Sequence, residues 1–159
     1  MRLKRLLIGV LTIVVLSSVL GVALHFNLVR RYLAGEFRQS FVDAERYPGI
    51  IFITRGEAED LLLGGRAVAV DSRTPEEYAA GHVPGALNVP LASSDRALAD
   101  LVARFPLGQC IVVYCEGGDC QTSTALARFI HDRGFRDIRV YQGGWLDWTS
   151  AGLPVDVSK

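Results

Sequence analysis

The chain has little cysteine and no excess of charge of either sign. Its 159 residues include three cysteines, which lie close together at Cys110, Cys115 and Cys120. They are too few and too clustered for a disulfide framework, so we expect them to belong to a site. The 17 basic and 17 acidic residues give a formal net charge of zero, which removes the long-range attraction that favours nucleic-acid binding. We therefore expect no nucleic-acid partner.

One segment near the N-terminus lacks charge altogether. Residues 6–29 contain no Asp, Glu, Lys or Arg. As a helix, such a run would span about 36 Å and would exceed the hydrocarbon core of a bilayer, about 30 Å thick. The pattern predicts a short basic N-terminus at residues 1–5 and a transmembrane helix at residues 6–29. A long signal peptide with a cleavage site near residues 21–23 is the alternative.

The basic residues around this segment predict its orientation. Three precede it and two arginines follow it directly, and the amino terminus adds a further positive charge on the first side. This balance favours a cytoplasmic N-terminus. We thus expect a single-pass membrane protein that contacts lipid through its N-terminal helix, with the domain on the extracytoplasmic (periplasmic) side. Residues 30–48, whose aromatic spacing suggests a further helical turn or two, are expected to form a juxtamembrane linker.

Residues 49–159 alternate between strand-like and helix-like patterns. Short apolar, β-branched runs predict strands, and apolar residues at helical spacing predict the helices between them. The predicted strands are 50–53, 67–70, 86–89, 111–114 and 137–141. The predicted helices are 57–63, 75–80, 94–105, 121–132 and 145–150. This alternation predicts an α/β fold with a parallel central sheet flanked by helices.

Cys115 lies where a buried strand is predicted to give way to a helix. The backbone N–H groups of the intervening loop and the positive end of the helix favour negative charge. Because the thiolate is the nucleophilic form of cysteine, this position predicts sulfur chemistry at Cys115. The loop residues expected to form the anion-binding site are Glu116, Gly117, Gly118, Asp119, Cys120, Gln121, Thr122 and Ser123.

Several motifs around this loop fit the pattern of one family. The run VDSRTPEEY at residues 70–78 is followed by GHVPGALNVP at residues 81–90. Further matches are Gly134-Phe135, Gly143-Gly144-Trp145 and Trp148. Together they resemble the signature of rhodanese-like domains, and the resemblance covers residues 50–155.

The resemblance implies a sulfurtransferase. A cysteine at the position of Cys115 takes sulfane sulfur from a small donor, carries it as a persulfide and passes it to a thiol or another nucleophilic acceptor. The resemblance also implies structural roles for four polar residues, which are Asp71, Arg73, Glu77 and His82. We expect no cofactor, and no metal, since the cysteines lack the close-spaced pairs of a zinc site. No particular protein partner is predicted.

The loop departs from the common form of the family. If Ser123 is the serine that ends it, the loop is two residues longer than the six-residue form and contains no Arg or Lys. It contains Glu116, Asp119 and a second thiol, Cys120. Thiosulfate is a dianion, so these two carboxylates repel it. A pair of like charges about 4 Å apart costs about 4 kcal/mol at an effective dielectric of ~20. We therefore expect poor thiosulfate:cyanide activity and a donor with less charge, such as a persulfide or polysulfide.

Two other functions fit the same residues. Cys120 is a possible resolving thiol, which would make Cys115 and Cys120 a thiol–disulfide redox switch. Alternatively, the chain is a non-catalytic rhodanese-like module that binds a partner at the membrane. A phosphatase of related architecture is disfavoured because it needs a loop arginine to hold phosphate.

Overall fold

The computed structural model describes residues 2–26, 29–30, 46–118 and 121–158. The chain divides into two units, residues 1–42 and 43–159. The first contains helix α1 (Arg2–Leu24). Most of the predicted linker at residues 30–48 lies outside the described residues, and so do Asp119 and Cys120 of the predicted loop.

Helix α1 does not match the predicted membrane span. It begins at Arg2, so its first turns contain Arg2, Lys4 and Arg5, and it ends at Leu24, before the Val29 that closes the predicted span. Within the residues that the structure describes, no helix combines the length and the apolar character needed to cross a bilayer. The predicted transmembrane helix is therefore wrong, as are the single-pass location and the extracytoplasmic side assigned to the domain. The expected lipid contact has no support.

The second unit is built on a parallel sheet, as predicted. In the described chain the sheet has five strands in the order β1-β5-β4-β2-β3, and every neighbouring pair is parallel. Strand β4 is therefore central, with β5 and β2 on either side. The strands are β1 (Ile50–Ile53), β2 (Val68–Asp71), β3 (Leu87–Asn88), β4 (Cys110–Tyr114) and β5 (Asp137–Tyr141).

The helices lie close to their predicted positions. They are α2 (Arg55–Leu62), α3 (Pro75–Ala80), α4 (Ser94–Arg104), α5 (Thr122–Asp132) and α6 (Gly144–Ser150), with a 3-10 turn at Leu91–Ser93 before α4. Helix α2 begins two residues earlier than predicted because Thr54 caps it. The backbone N–H and the hydroxyl of Thr54 donate to Glu57 Oε2 at 2.8 and 2.7 Å, which fixes the first turn.

Two apolar layers cover the two faces of the sheet. Ile111 and Val113 of β4 pack in one layer with α4 and α5, whereas Val112 and Tyr114 pack in the other with α2 and Trp148 of α6. All five residues of β4 are buried, as expected for a central strand covered on both faces. This packing fixes the end of β4, and with it Cys115, at the middle of the carboxyl edge of the sheet.

Candidate active site

Cys115 follows the last residue of the central strand. Tyr114 pairs with Asp71 at the end of β2 and with Tyr141 at the end of β5, so three strands end at this point. In open parallel sheets ligands bind beyond this edge. Cys115 is 1% exposed, so its side chain is buried.

The sulfur lies beside the first turn of helix α5. Ser123, the second residue of α5, is 1% exposed, and its hydroxyl donates to Cys115 Sγ at 3.4 Å. The positive end of the helix macrodipole therefore faces the sulfur. A hydroxyl donor and a helix N-terminus together stabilise a thiolate at this position.

The loop after Cys115 packs closely on the start of helix α6. The backbone N–H groups of Trp145 and Leu146 donate to the carbonyls of Cys115 and Glu116, both at 2.9 Å. A Cβ atom on Gly144 would lie 2.5 Å from the Cys115 carbonyl oxygen, so the approach requires glycine there. The first two residues of the loop are thus held by backbone contacts.

Ser72 connects the same region to strand β2. Its backbone N–H and its hydroxyl both donate to the Tyr114 carbonyl at 2.9 Å, and its hydroxyl lies 3.1 Å from Thr122 Oγ1. Ser72 therefore contacts residues on both sides of the loop between Tyr114 and Thr122, which is called the active-site loop below. Sequence reasoning did not single it out, although it lies inside the motif at residues 70–78.

Arg73 connects β2 to the active-site loop. Its backbone N–H, Nε and Nη2 donate to the Asp71 carboxylate at 2.7 to 3.1 Å, and Nη2 also donates to the Gly81 carbonyl at 2.7 Å. Nη1 donates to Glu116 Oε2 at 3.3 Å. Burial alone would lower the pKa of Arg73, but the hydrogen bonds and charge of Asp71 outweigh it and raise the pKa. Arg73 is therefore a buried, permanently charged group beside the loop.

The other two predicted polar residues contact parts of the fold outside the loop. Glu77 caps helix α3: its Oε2 accepts from the Thr74 backbone N–H at 2.9 Å, and its own N–H donates to Thr74 Oγ1 at 3.3 Å. The ring of His82 stacks on Tyr78 with 3.8 Å between centroids, and its backbone N–H and carbonyl pair with Asp156 at 2.9 Å. These contacts join α3 and the C-terminal segment.

Of the two remaining cysteines, the structure describes Cys110 but not Cys120. Cys110, at the start of β4, is buried, and burial raises the pKa of its thiol, as does neighbouring Asp137. Cys120 and Asp119 lie outside the described residues, so the resolving-thiol prediction stays a prediction. Among the residues that the structure describes, no cluster of three or more His, Cys, Asp or Glu side chains could hold a metal ion.

Several known proteins are similar in sequence to this chain. An HTH-type transcriptional regulator of Mycobacterium tuberculosis is 41% identical over 104 residues, which are 65% of this chain and 44% of that protein. This chain therefore spans less than half the length of that relative. Thiosulfate sulfurtransferase 16, chloroplastic, of Arabidopsis thaliana is 32% identical over 120 residues, 70% of this chain and 96% of that protein. Human thiosulfate:glutathione sulfurtransferase is 34% identical over 103 residues, which are 58% of this chain and 87% of that protein.

A family model agrees with these relatives and with the fold. The Rhodanese-like domain model matches residues 54–151, a range that includes β2, the loop after Cys115 and the start of α6. The chain belongs to the rhodanese-like domain family.

Proposed function

We propose that this chain is a sulfurtransferase, or sulfane-sulfur carrier, that forms a persulfide on Cys115 and passes the sulfur to a thiol or another nucleophile. One observation carries the proposal: the buried Cys115 sulfur lies 3.4 Å from the Ser123 hydroxyl at the start of helix α5. The Arabidopsis relative is named a thiosulfate sulfurtransferase, and the human relative a thiosulfate:glutathione sulfurtransferase. Their names support sulfur transfer as the reaction class.

Both half-reactions are displacements at sulfur. First, the Cys115 thiolate attacks the sulfane sulfur of the donor. A new S–S bond forms, and the bond inside the donor breaks with its electron pair leaving on the remainder of the donor. Then an acceptor thiolate attacks the outer sulfur of the persulfide, and Cys115 departs as a thiolate with the electron pair of the broken bond. The protein ends in the state in which it began.

Several contacts among the described residues support these steps. Negative charge stays on the sulfur of Cys115 or on the sulfur bound to it throughout, and the Ser123 hydroxyl and the N-terminus of α5 stabilise that charge. Burial limits the water that could compete for the hydrogen bond. The backbone contacts of Trp145 and Leu146 hold the start of the loop, so the site needs little rearrangement when charge moves.

Intact-mass spectrometry of the purified chain tests the proposal. After incubation with inorganic polysulfide and removal of the excess, we expect the wild type to gain one sulfur atom and Cys115→Ser to gain none. Cys110→Ser is the matched control, because it removes a buried thiol from the other end of the same strand, and it should load like the wild type. No gain on the wild type, or an equal gain on Cys115→Ser, contradicts the proposal.

The same spectra separate the other two functions. A redox switch between Cys115 and Cys120 would lose the mass of two hydrogens in place of gaining sulfur, and a Cys120→Ser variant would abolish that loss. A non-catalytic binding module would show no gain on any variant. Cys120 lies outside the described residues, so the structure gives no argument for the switch.

A further inference from the structure

We infer that the negative charge of Glu116, which pairs with Arg73 at the start of the loop, selects against sulfur donors that carry two negative charges. The inference rests on the proposed function and assigns a specificity-determining role at the same site. Its basis is an ion pair that bridges two loops: Arg73 Nη1 and Glu116 Oε2 are 3.3 Å apart, although the two residues are 43 positions apart in the sequence.

Most of the hydrogen-bonding capacity of Arg73 is used inside the protein. Nε and Nη2 are held by the Asp71 carboxylate and the Gly81 carbonyl. One face of the guanidinium is covered by the Trp145 ring, whose centroid lies 4.6 Å from Cζ. Nη1 points to the active-site loop, where Glu116 accepts from it. Nη1 is therefore the part of Arg73 that an anionic donor could use if Glu116 did not occupy it.

Glu116 differs from Asp71, the other carboxylate on this arginine, in its exposure. The side chain of Asp71 is 0% exposed, whereas that of Glu116 is 40% exposed. The charges of Asp71, Arg73 and Glu116 sum to minus one. Because Asp71 already balances the arginine, Glu116 leaves a net negative charge at the start of the loop.

The side chain of Glu116 is not what holds the loop backbone. The backbone carbonyl of Glu116 accepts from the Leu146 N–H at 2.9 Å, and the backbone carbonyl of Cys115 accepts from the Trp145 N–H at 2.9 Å. Both bonds use main-chain atoms and survive a change of side chain. Replacement by glutamine therefore removes the charge, keeps nearly the same shape and leaves these contacts in place.

Two donors with the same chemistry and different charge can separate this effect from reactivity. Thiosulfate is a dianion: when the Cys115 thiolate attacks its outer sulfur, the S–S bond to Cys115 forms and sulfite leaves with the electron pair of the broken bond. Methanethiosulfonate is a monoanion that reacts in the same way and releases methanesulfinate. Repulsion by Glu116 scales with donor charge, so it slows thiosulfate more.

The experiment compares kcat/KM for the two donors in the wild type and in Glu116→Gln. We expect the variant to gain about tenfold with thiosulfate and about threefold with methanethiosulfonate, because the free-energy effect is proportional to the product of the charges. The ratio of kcat/KM with thiosulfate to kcat/KM with methanethiosulfonate should therefore be about threefold higher in the variant than in the wild type. Glu76→Gln, which removes an exposed carboxylate in helix α3, is the control and should leave the ratio unchanged.

Salt gives a second test that needs no variant. At an ionic strength of about 1 M the Debye length falls to about 3 Å, so the wild-type ratio should rise toward that of Glu116→Gln. If neither the substitution nor salt alters this ratio, the inference is wrong while the proposed function still stands. Absence of sulfur uptake from both donors, in wild type and variant, overturns the proposed function and the inference with it.

Discussion

The Ser123 hydroxyl contacts the reacting sulfur of the proposed mechanism. It lies 3.4 Å from Cys115 Sγ, and both residues are 1% exposed. A hydrogen bond to a charged group in such surroundings is stronger than one in water. Ser123 should therefore affect the chemical step more than donor binding.

Replacement of Ser123 by alanine should slow persulfide formation. We expect a loss of about tenfold or more in the rate, since a hydrogen bond to a charged group contributes about 1.5–3 kcal/mol. The loss should fall on kcat, with KM nearly unchanged. Ser123→Thr retains the hydroxyl and is the matched control. Single-turnover mass spectrometry measures the rate, and an alanine variant as fast as the wild type would refute the role of the hydroxyl.

Two ion pairs of nearly equal length should differ greatly in their contribution to stability. Arg73–Asp71 is 2.7 Å long with side chains 4% and 0% exposed, and Arg55–Asp147 is 2.6 Å long with side chains 46% and 35% exposed. Removing one partner of a buried pair leaves an unpaired buried charge, so Arg73→Leu should cost about 3–5 kcal/mol of unfolding free energy. Arg55→Leu should cost less than about 1 kcal/mol. Urea unfolding at neutral pH measures both, and equal losses would contradict this account.

At the level of elements, the first residues of the active-site loop pack against the start of helix α6. Gly144 begins α6 with φ +61°, and a Cβ there would lie 2.5 Å from the Cys115 carbonyl oxygen and 2.7 Å from the Gly117 nitrogen. Strand β4 fixes the start of the loop, and α6 covers it. The position of Cys115 thus depends on a glycine that is distant in sequence.

Gly144→Ala should displace the loop and reduce sulfur uptake at Cys115. Gly152→Ala is a close control, because Gly152 has φ +70° but a Cβ there would meet open space, with no described atom beyond its chain neighbours within 4 Å. Both substitutions incur the strain of a left-handed residue, about 1–2 kcal/mol, and should lower stability. Only Gly144→Ala should also slow persulfidation in the intact-mass assay. A similar loss of uptake in both variants would mean that the effect comes from lowered stability, and would contradict a specific role for the contact at Gly144.

The cap of helix α3 predicts a dependence of stability on pH. The hydrogen bond from the Thr74 backbone, followed by that from its side chain, lowers the pKa of Glu77. A carboxylate with a lowered folded-state pKa stabilises the fold above its unfolded pKa, and this contribution is lost as the pH falls through the folded-state value. Glu77→Gln should thus cost under about 1 kcal/mol at pH 7, and less at about pH 3. Urea unfolding at both pH values tests this, with Glu76→Gln as the control for loss of charge in the same turn. A cost that is equal at the two pH values would contradict the role of the cap.

At the scale of the whole molecule, the parallel sheet brings the site together. Residues far apart in sequence meet because Asp71, Tyr114 and Tyr141 are register partners at the same edge. The strand and helix pattern was enough to predict this arrangement, because buried β-branched runs and helical spacing are local signals. The capping motif at Thr74 likewise placed the start of α3 correctly.

Other features depend on contacts that local patterns do not encode. The pairing of Glu116 with Arg73 was not predicted, because it needs the relative position of two loops and the orientation of two long side chains. The role of Ser72 was missed for the same reason. The predicted membrane span was wrong: it was based on the absence of charge in residues 6–29, and no helix among the described residues has the length and apolar character needed to cross a bilayer.

A chase with labelled sulfur tests the central claim most directly. Cys115 is loaded from a donor whose sulfane sulfur is a heavy isotope, the donor is removed, and glutathione is added as the acceptor thiol. We predict that the label leaves the Cys115 peptide at the rate at which it appears on glutathione, at a rate sufficient for turnover, and that Cys115→Ser transfers none. Label that remains on the protein while turnover continues, or equal transfer by Cys115→Ser, would contradict the account.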